Sequence, residues 1–571
     1  MTPLAEQRPR LLRIPLHLLI VALVLGLAHV SIGPHYSYFS DEGAAALQAL
    51  ALDDGSWFHQ YPLAELDPEQ EARPFLRGDV GTKGVAPYAK HPLYPVLLQG
   101  AHTLLGRAGF TMLSVLGTVV AAGAAALIAR RRGAGTAVLA LWLTAVGTPL
   151  FFDSFLIVAH TLAAAAVAIG VWGVLRTCTA PEGRDWPDRV VPLIACGGGV
   201  AVSTAVRTEA LLWWAALVAM LLVLALRRSI TLVAATVASG VVLTAGVSAW
   251  LVEQWVTRAI TGSPIESVAG VSATWSERIG AAQTTLFRPS VDAFSHGDVL
   301  LVAGAAFVAC AGIAVRRRRP DLASVMVWAA LGAYLVGWAL RPTATIPGLF
   351  VAFPLLGFVL VVGWHPRRER SVATVLLLGS CLVFGAAVLL TQYSQGGGVE
   401  WGWRYFSLAT PLVSVLCAQV LVDAVRRDLT VGWPVMAPVV VITLVTAAMG
   451  LQELARGHAD GRWLAARIEA AAATLHPPGG GDDRPLVFVQ GQLVPQILWP
   501  DFDEYTWVAV AERHISRYSR RLADHGYESM VFVSSHPQND AARLVGWRVL
   551  FDGELPEGGI VVATAVRVDG P

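Results

Sequence analysis

The chain has 571 residues, 55% of them apolar and only 15% charged, with a mean hydropathy of +0.57. That balance excludes an ordinary soluble domain and a disordered chain, and it describes a polytopic membrane protein. The net charge of +1 gives no electrostatic case for a nucleic-acid partner.

Apolar runs long enough to cross a hydrocarbon core lie near 11–31, 109–129, 134–151, 155–176, 190–206, 209–227, 230–255, 299–315, 322–340, 345–363, 372–391, 404–424 and 432–451. These predict about 13 transmembrane helices. Arg8, Arg10 and Arg13 place the N-terminus in the cytoplasm, since short inner loops carry the Lys/Arg excess. The clusters at 130–132, 176–189, 227–228, 316–319, 367–370 and 426–427 then all fall on that same side. This topology holds if "HPLYPVLLQGAHTLLG", 91–106, does not cross and is a juxtamembrane or re-entrant piece.

The two long external loops are 32–108 and 256–298, the latter with Trp275, Arg278 and Arg288 as a candidate lid. Residues 1–451 form the transmembrane domain, and 452–571 an extracytoplasmic one. In the latter, "PLVFVQ", "SMVFVSS", "WRVLFDG" and "GIVVATAVRV" read as short strands, and "HISRYSRRLADHG" as an amphipathic helix. A small α/β domain follows, joined through the Pro/Gly-rich stretch 476–485. No A-x-A-like site closes the first apolar run, so no cleaved leader is expected. Cys178, Cys196, Cys310, Cys381 and Cys417 are scattered, without metal-ligand spacing or a disulfide framework.

Polar residues collect at the outer ends of the spans. The first external loop carries Asp41, Glu42, Asp79, Lys83, Lys90 and His91. Asp153 and His160 follow the third span, and then come Arg207 with Glu209, Arg341, and Glu400 with Arg404. Lys83 and Lys90 are the only lysines in the chain, which suits a site wanting compact ammonium charges against phosphate. Each residue has a plainer reading. Ser40 or Asp41 would serve as an N-cap, Asp153 would cap the fifth helix, and Arg207 and Arg341 would snorkel to the interface. "DFDEY", 501–505, reads as a solvated loop despite its D-x-D spacing. Convergence of carboxylates, lysines and arginines on one face beside lipid favours group transfer from a lipid-linked phosphate.

"DE" at 41–42 after the first span, "YAKHPLYPVLL" at 88–98, "FFDSFL" at 151–156 and "GVEWGWRYFSLATP" at 398–411 together resemble the GT-C superfamily of membrane glycosyltransferases. That superfamily includes the protein O-mannosyltransferases, family 39, and the lipid A aminoarabinose transferases. Leu93 stands where their Pro-Pro-Leu segment has its second proline. The resemblance implies a GT-C-like helical fold and transfer of a hexosyl or pentosyl group, with inversion, from a polyprenyl-phosphate donor to an extracytoplasmic glycan, lipid or protein hydroxyl in the cell envelope. It implies Asp41 as base, Glu42 orienting it or a metal, and Asp153 shaping the acceptor pocket. Lys83, Lys90, His91, Arg207, Arg341 and Arg404 would hold the donor phosphate. Carboxylates at 41 and 42 suit Mg²⁺ or Mn²⁺, but the sequence does not require a cofactor. The arginine-rich inner loops fit a bacterial plasma membrane. The competing reading is a lipid or sugar transporter or flippase without transferase activity. Such a protein would place ionisable groups near the bilayer midplane and show two matching halves. A third class is a scaffold whose external domain binds a partner.

Overall fold

The computed structural model describes residues 13–32, 36–74, 77–78, 84–86, 91–179, 186–261, 274–287, 326, 348–353, 355–356, 371–391, 401–427, 429–475, 484–551 and 560–568. Among these, seven helices are long and apolar enough to cross a membrane. They belong to α1 (Arg13–Ile32), α4 (Ala108–Ala129), α6 (His160–Cys178), α8 (Glu209–Leu226), α9 (Leu232–Thr261), α11 (Val372–Thr391) and α12 (Thr410–Arg427). The expected spans at 134–151 and 190–206 form shorter apolar helices, α5 (Ala134–Val146) and all but the first four residues of α7 (Trp186–Val206). Most of 299–315, 322–340 and 345–363 lies outside the described residues. The stretch 91–106 forms α3 (Leu93–Leu105), whose 13 residues reach only about 20 Å at 1.5 Å per residue, too short to cross.

α6 packs on α7 and on α4, and α8 packs on α11. Small side chains allow this closeness where hydrophobic attraction between helices is weak. Ala163, Ala164 and Ala168 of α6 are fully buried, and Gly199 of α7 meets its backbone so closely that a Cβ would overlap the carbonyl of Ala166.

α2 (Ser40–Asp53) lies against α3 in the first loop. The same loop holds an antiparallel three-stranded sheet in which β1 (His59–Gln60) and β2 (Arg77–Gly78) flank β3 (Gly84–Ala86). α10 (Trp275–Phe287) packs on α11 from the second long loop.

The last apolar span does not end at residue 451. α13 (Leu429–Leu475) continues without interruption for 47 residues. Beyond it a five-stranded sheet has the order β5-β4-β6-β8-β7. β4 (Leu486–Gln490) pairs in parallel with β5 (Thr506–Val510) and β6 (Ser529–Ser534), whereas β8 (Val561–Arg567) runs antiparallel between β6 and β7 (Trp547–Leu550). All four expected strands are present, and β5 is an addition. β4 and β5 are buried almost throughout, as strands covered on both faces must be. α14 (Leu493–Ile497) follows β4, and the amphipathic α15 (Ile515–Asp524) lies between β5 and β6. "DFDEY" falls in a 3-10 turn, Trp499–Glu504, and its end.

Candidate active site

Asp41 and Glu42 are adjacent yet point different ways. Successive helical residues are rotated by about 100°, so neighbours do not share a face. The N-cap of α2 is Phe39, not Ser40 or Asp41. Glu42, at the third helical position and only 1% exposed, reaches back to accept from the N–H groups of Tyr38 (2.8 Å) and Phe39 (3.2 Å), one half of a capping box. Its other oxygen accepts from the N–H of Ile157 (2.8 Å). Glu42 thereby ties the start of α2 to the turn between Asp153 and His160.

Asp41 turns instead to Arg404, whose Nη1 donates to its Oδ2 at 2.9 Å. Arg404 opens a 3-10 turn, Arg404–Ala409, that follows two left-handed residues, Gly402 (φ 70°) and Trp403 (φ 65°). A tryptophan in that region costs of order 1 kcal/mol or more. Trp403 is held there by stacking on Phe406, with ring centres 5.5 Å apart. The strained corner aims Arg404 at α2. Tyr405 then receives two guanidinium groups, Arg404 at 4.9 Å and Arg207 at 5.9 Å from its ring centre. Arg207 makes a bidentate pair with Glu209 at 3.0 and 2.9 Å, both side chains nearly buried.

Asp153 ends a short helix, Pro149–Asp153, and lies 3.3 Å from Nδ1 of His160, the first residue of α6. Both are buried. His91 lies 3.2 Å from the Thr208 hydroxyl and 3.5 Å from Glu253 of α9. Glu253 and Tyr405 are additions to the expected set. The signal for Glu253 is an acid near the end of an otherwise apolar run.

Lys83, Lys90, Arg341, Asp79, Glu400 and Arg288 lie outside the described residues. Among the described residues, no three His, Cys, Asp or Glu side chains group so as to hold a metal ion. The carboxylate pair also suits one poorly, since Asp41 faces a guanidinium and Glu42 is engaged by main-chain N–H groups.

No family model matches the chain, and no curated protein does. Solved structures do. The chain is similar to ArnT from Cupriavidus metallidurans bound to undecaprenyl phosphate, at 13% identity and a TM-score of 0.48, over 96% of this chain and 97% of that one. It is also similar to the archaeal oligosaccharyltransferase AglB from Archaeoglobus fulgidus, in complex with an inhibitory peptide and a dolichol-phosphate. There the identity is 12% and the TM-score 0.45, over 96% of this chain and 74% of that one.

Beside Arg404 opens an apolar cavity of about 360 Å³. Trp403 and Phe406, which flank the Arg404–Tyr405 pair in sequence, line it together with Leu378, Gly385 and Leu389 of α11 and Val413 of α12. The arrangement joins two carboxylates, Asp41 and Glu209, two guanidinium groups against one aromatic ring, and an apolar groove between helices. It suits a ligand with an anionic head and a hydrocarbon tail.

Proposed function

We propose that the protein is a GT-C-type glycosyltransferase of a bacterial plasma membrane. It would transfer a sugar from a polyprenyl-phosphate donor to an extracytoplasmic hydroxyl, with the N-terminus inside and the C-terminal sheet outside. The observation that carries this reading is the Asp41–Arg404 pair at 2.9 Å, with Arg404 set between two residues of the apolar groove.

The lipid tail occupies the groove and its phosphate meets Arg404 and Arg207, joined by Lys83, Lys90 and Arg341. Asp41 accepts the proton of the acceptor hydroxyl as that oxygen bonds to the anomeric carbon. The anomeric C–O bond to phosphate breaks on the opposite face, which inverts the centre, and its electron pair leaves on the lipid phosphate. Phosphate departs readily, so the demand is for a base and for cations aimed where charge develops. Arg404 serves at both points, as the partner of Asp41 before the donor binds and of phosphate afterwards. Glu42 supports Asp41 through the main chain, and Asp153 with His160 forms the polar wall expected toward the acceptor.

The test is sugar transfer in membranes given a panel of labelled polyprenyl-phosphate sugars, comparing wild type with Asp41→Asn at equal expression. The expected result is transfer from one donor by wild type and a loss of about 10²- to 10⁴-fold in the variant. Transfer at wild-type rates by Asp41→Asn would remove Asp41 from the base role.

A further inference from the structure

The segment that delivers Asp41 is gripped by the far end of the chain. Tyr36 donates from its hydroxyl to Asp501 (2.9 Å), and Ser37 donates its N–H to the carbonyl of Ile497 at the end of α14 (3.2 Å). Tyr38 donates to Glu453 of α13 (3.2 Å). Burial raises the Tyr36 and Tyr38 hydroxyls above their ordinary range, with Asp501 and Glu453 adding to it, so both stay protonated donors. Two glycines let these surfaces meet. A Cβ on Gly457 of α13 would overlap the Tyr38 ring, and one on Gly43 would overlap the main-chain carbonyl of Gln496 in α14. Gly43 comes two residues after Asp41.

The first loop is pinned from the same side. Ala509 of β5 donates its N–H to the carbonyl of Ala72 (2.9 Å), Arg521 pairs with Glu69, and the Tyr518 hydroxyl bonds to the buried Asp67. A separate binding role for the C-terminal unit would not require it to hold both residues 36–43 and residues 67–72 of the first loop.

We infer that the C-terminal unit is a brace for the active site: α13 and α14 clamp residues 36–43 between them and fix where Asp41 stands relative to Arg404. This rests on the transferase reading above. Gly457, Tyr38 and Gly43 are positioning residues, acting through the main chain rather than on the substrate. A displacement of about 1 Å at a reacting group is enough to cost on the order of 10²-fold in rate.

The experiment uses Gly457→Ala in the full-length protein. Alanine is the better helix former, so lost helicity in α13 cannot account for a defect. The brace predicts kcat down by on the order of 10- to 100-fold with the donor KM within about twofold and no fall in unfolding temperature. It also predicts that amide hydrogen exchange at 37–42 quickens by about tenfold while the amides of β4–β8 are unchanged. That readout needs no substrate. If wild type transfers no sugar, the transferase reading fails while exchange still decides the brace. Unchanged exchange at 37–42, or a kcat within about twofold of an active wild type, overturns it.

Discussion

Glu42→Gln and Asp41→Asn are chemically matched changes at adjacent positions, and the structure predicts opposite outcomes. Glu42 is 1% exposed and accepts three main-chain hydrogen bonds, from Tyr38, Phe39 and Ile157. An amide replaces one of its oxygens with a donor, so at least one of these N–H groups faces another N–H. Leaving a buried donor without an acceptor costs about 1–3 kcal/mol, and losing the charge weakens the bonds that remain. Asp41 has a side chain 36% exposed, and an ion pair at such a site contributes only about 0.2–1 kcal/mol. Thermal unfolding of the purified protein in detergent should therefore show Glu42→Gln clearly destabilised and Asp41→Asn close to wild type, whereas transfer should be lost most completely in Asp41→Asn. Equal stability of the two variants would refute the assignment of Glu42 to the frame and Asp41 to the chemistry.

Filling the apolar groove with Gly385→Leu, where Gly385 faces Phe406, should raise the KM for a long-chain donor by roughly tenfold and that of a short-chain analogue much less, at about 0.8 kcal/mol per displaced methylene; equal effects on both would remove the tail from the groove. Arg207→Met should destabilise by about 3–5 kcal/mol because it strips the buried Glu209 of its bidentate partner, and Arg207→Met with Glu209→Leu should be milder. Denaturant titrations of the single and double variants would compare them. The hydrogen bond from Arg521 holds the Glu69 carboxyl down at about 2, against 4.5 for the free group. A depressed acid stabilises the state in which it is ionised, so this contribution is complete above about pH 4.5 and fades as pH falls toward 2. Hydrogen exchange at the contact between the first loop and α15 should lose that part of its pH dependence in Glu69→Gln.

Part of the candidate site was legible because polar residues stand at the ends of apolar runs. Asp41, Asp153, Arg207 and Arg404 each stand out against hydrophobic neighbours, and the structure pairs Asp41 with Arg404 across 363 residues of sequence. Adjacency misled in one respect. "DE" reads as a shared acid pair, but helical rotation separates the two side chains, and only three-dimensional packing brings Ile157 to Glu42. Tyr405 was hidden in the aromatic-rich stretch "WGWRYF", 401–406, where nothing in sequence marks one ring as receiving two guanidinium groups. β5 was missed because "TWVAV" directly follows the acidic stretch "DFDEY", which reads as a loop. The composition change after 451 does not mark a helix end, because apolarity drops there while the helix runs on to Leu475.

That continuous helix restricts how this protein can change. Through α13, the placement of the C-terminal sheet is encoded as a count of residues. One residue inserted between 452 and 475 would turn the rest of α13, with the face that packs on β6 and β8, by about 100° and shift it by about 1.5 Å. Seven inserted residues, close to two turns, would nearly restore the facing direction but shift the rest of α13 by about 10 Å. Length variation that a surface loop absorbs freely would here put the packing of α13 on β6 and β8 out of step with its contacts to Tyr36 and Tyr38. Homologous chains that keep this contact are therefore expected to keep the length of this segment even where its sequence drifts, and grafts of the C-terminal sheet between such chains should work only when the helical count is preserved.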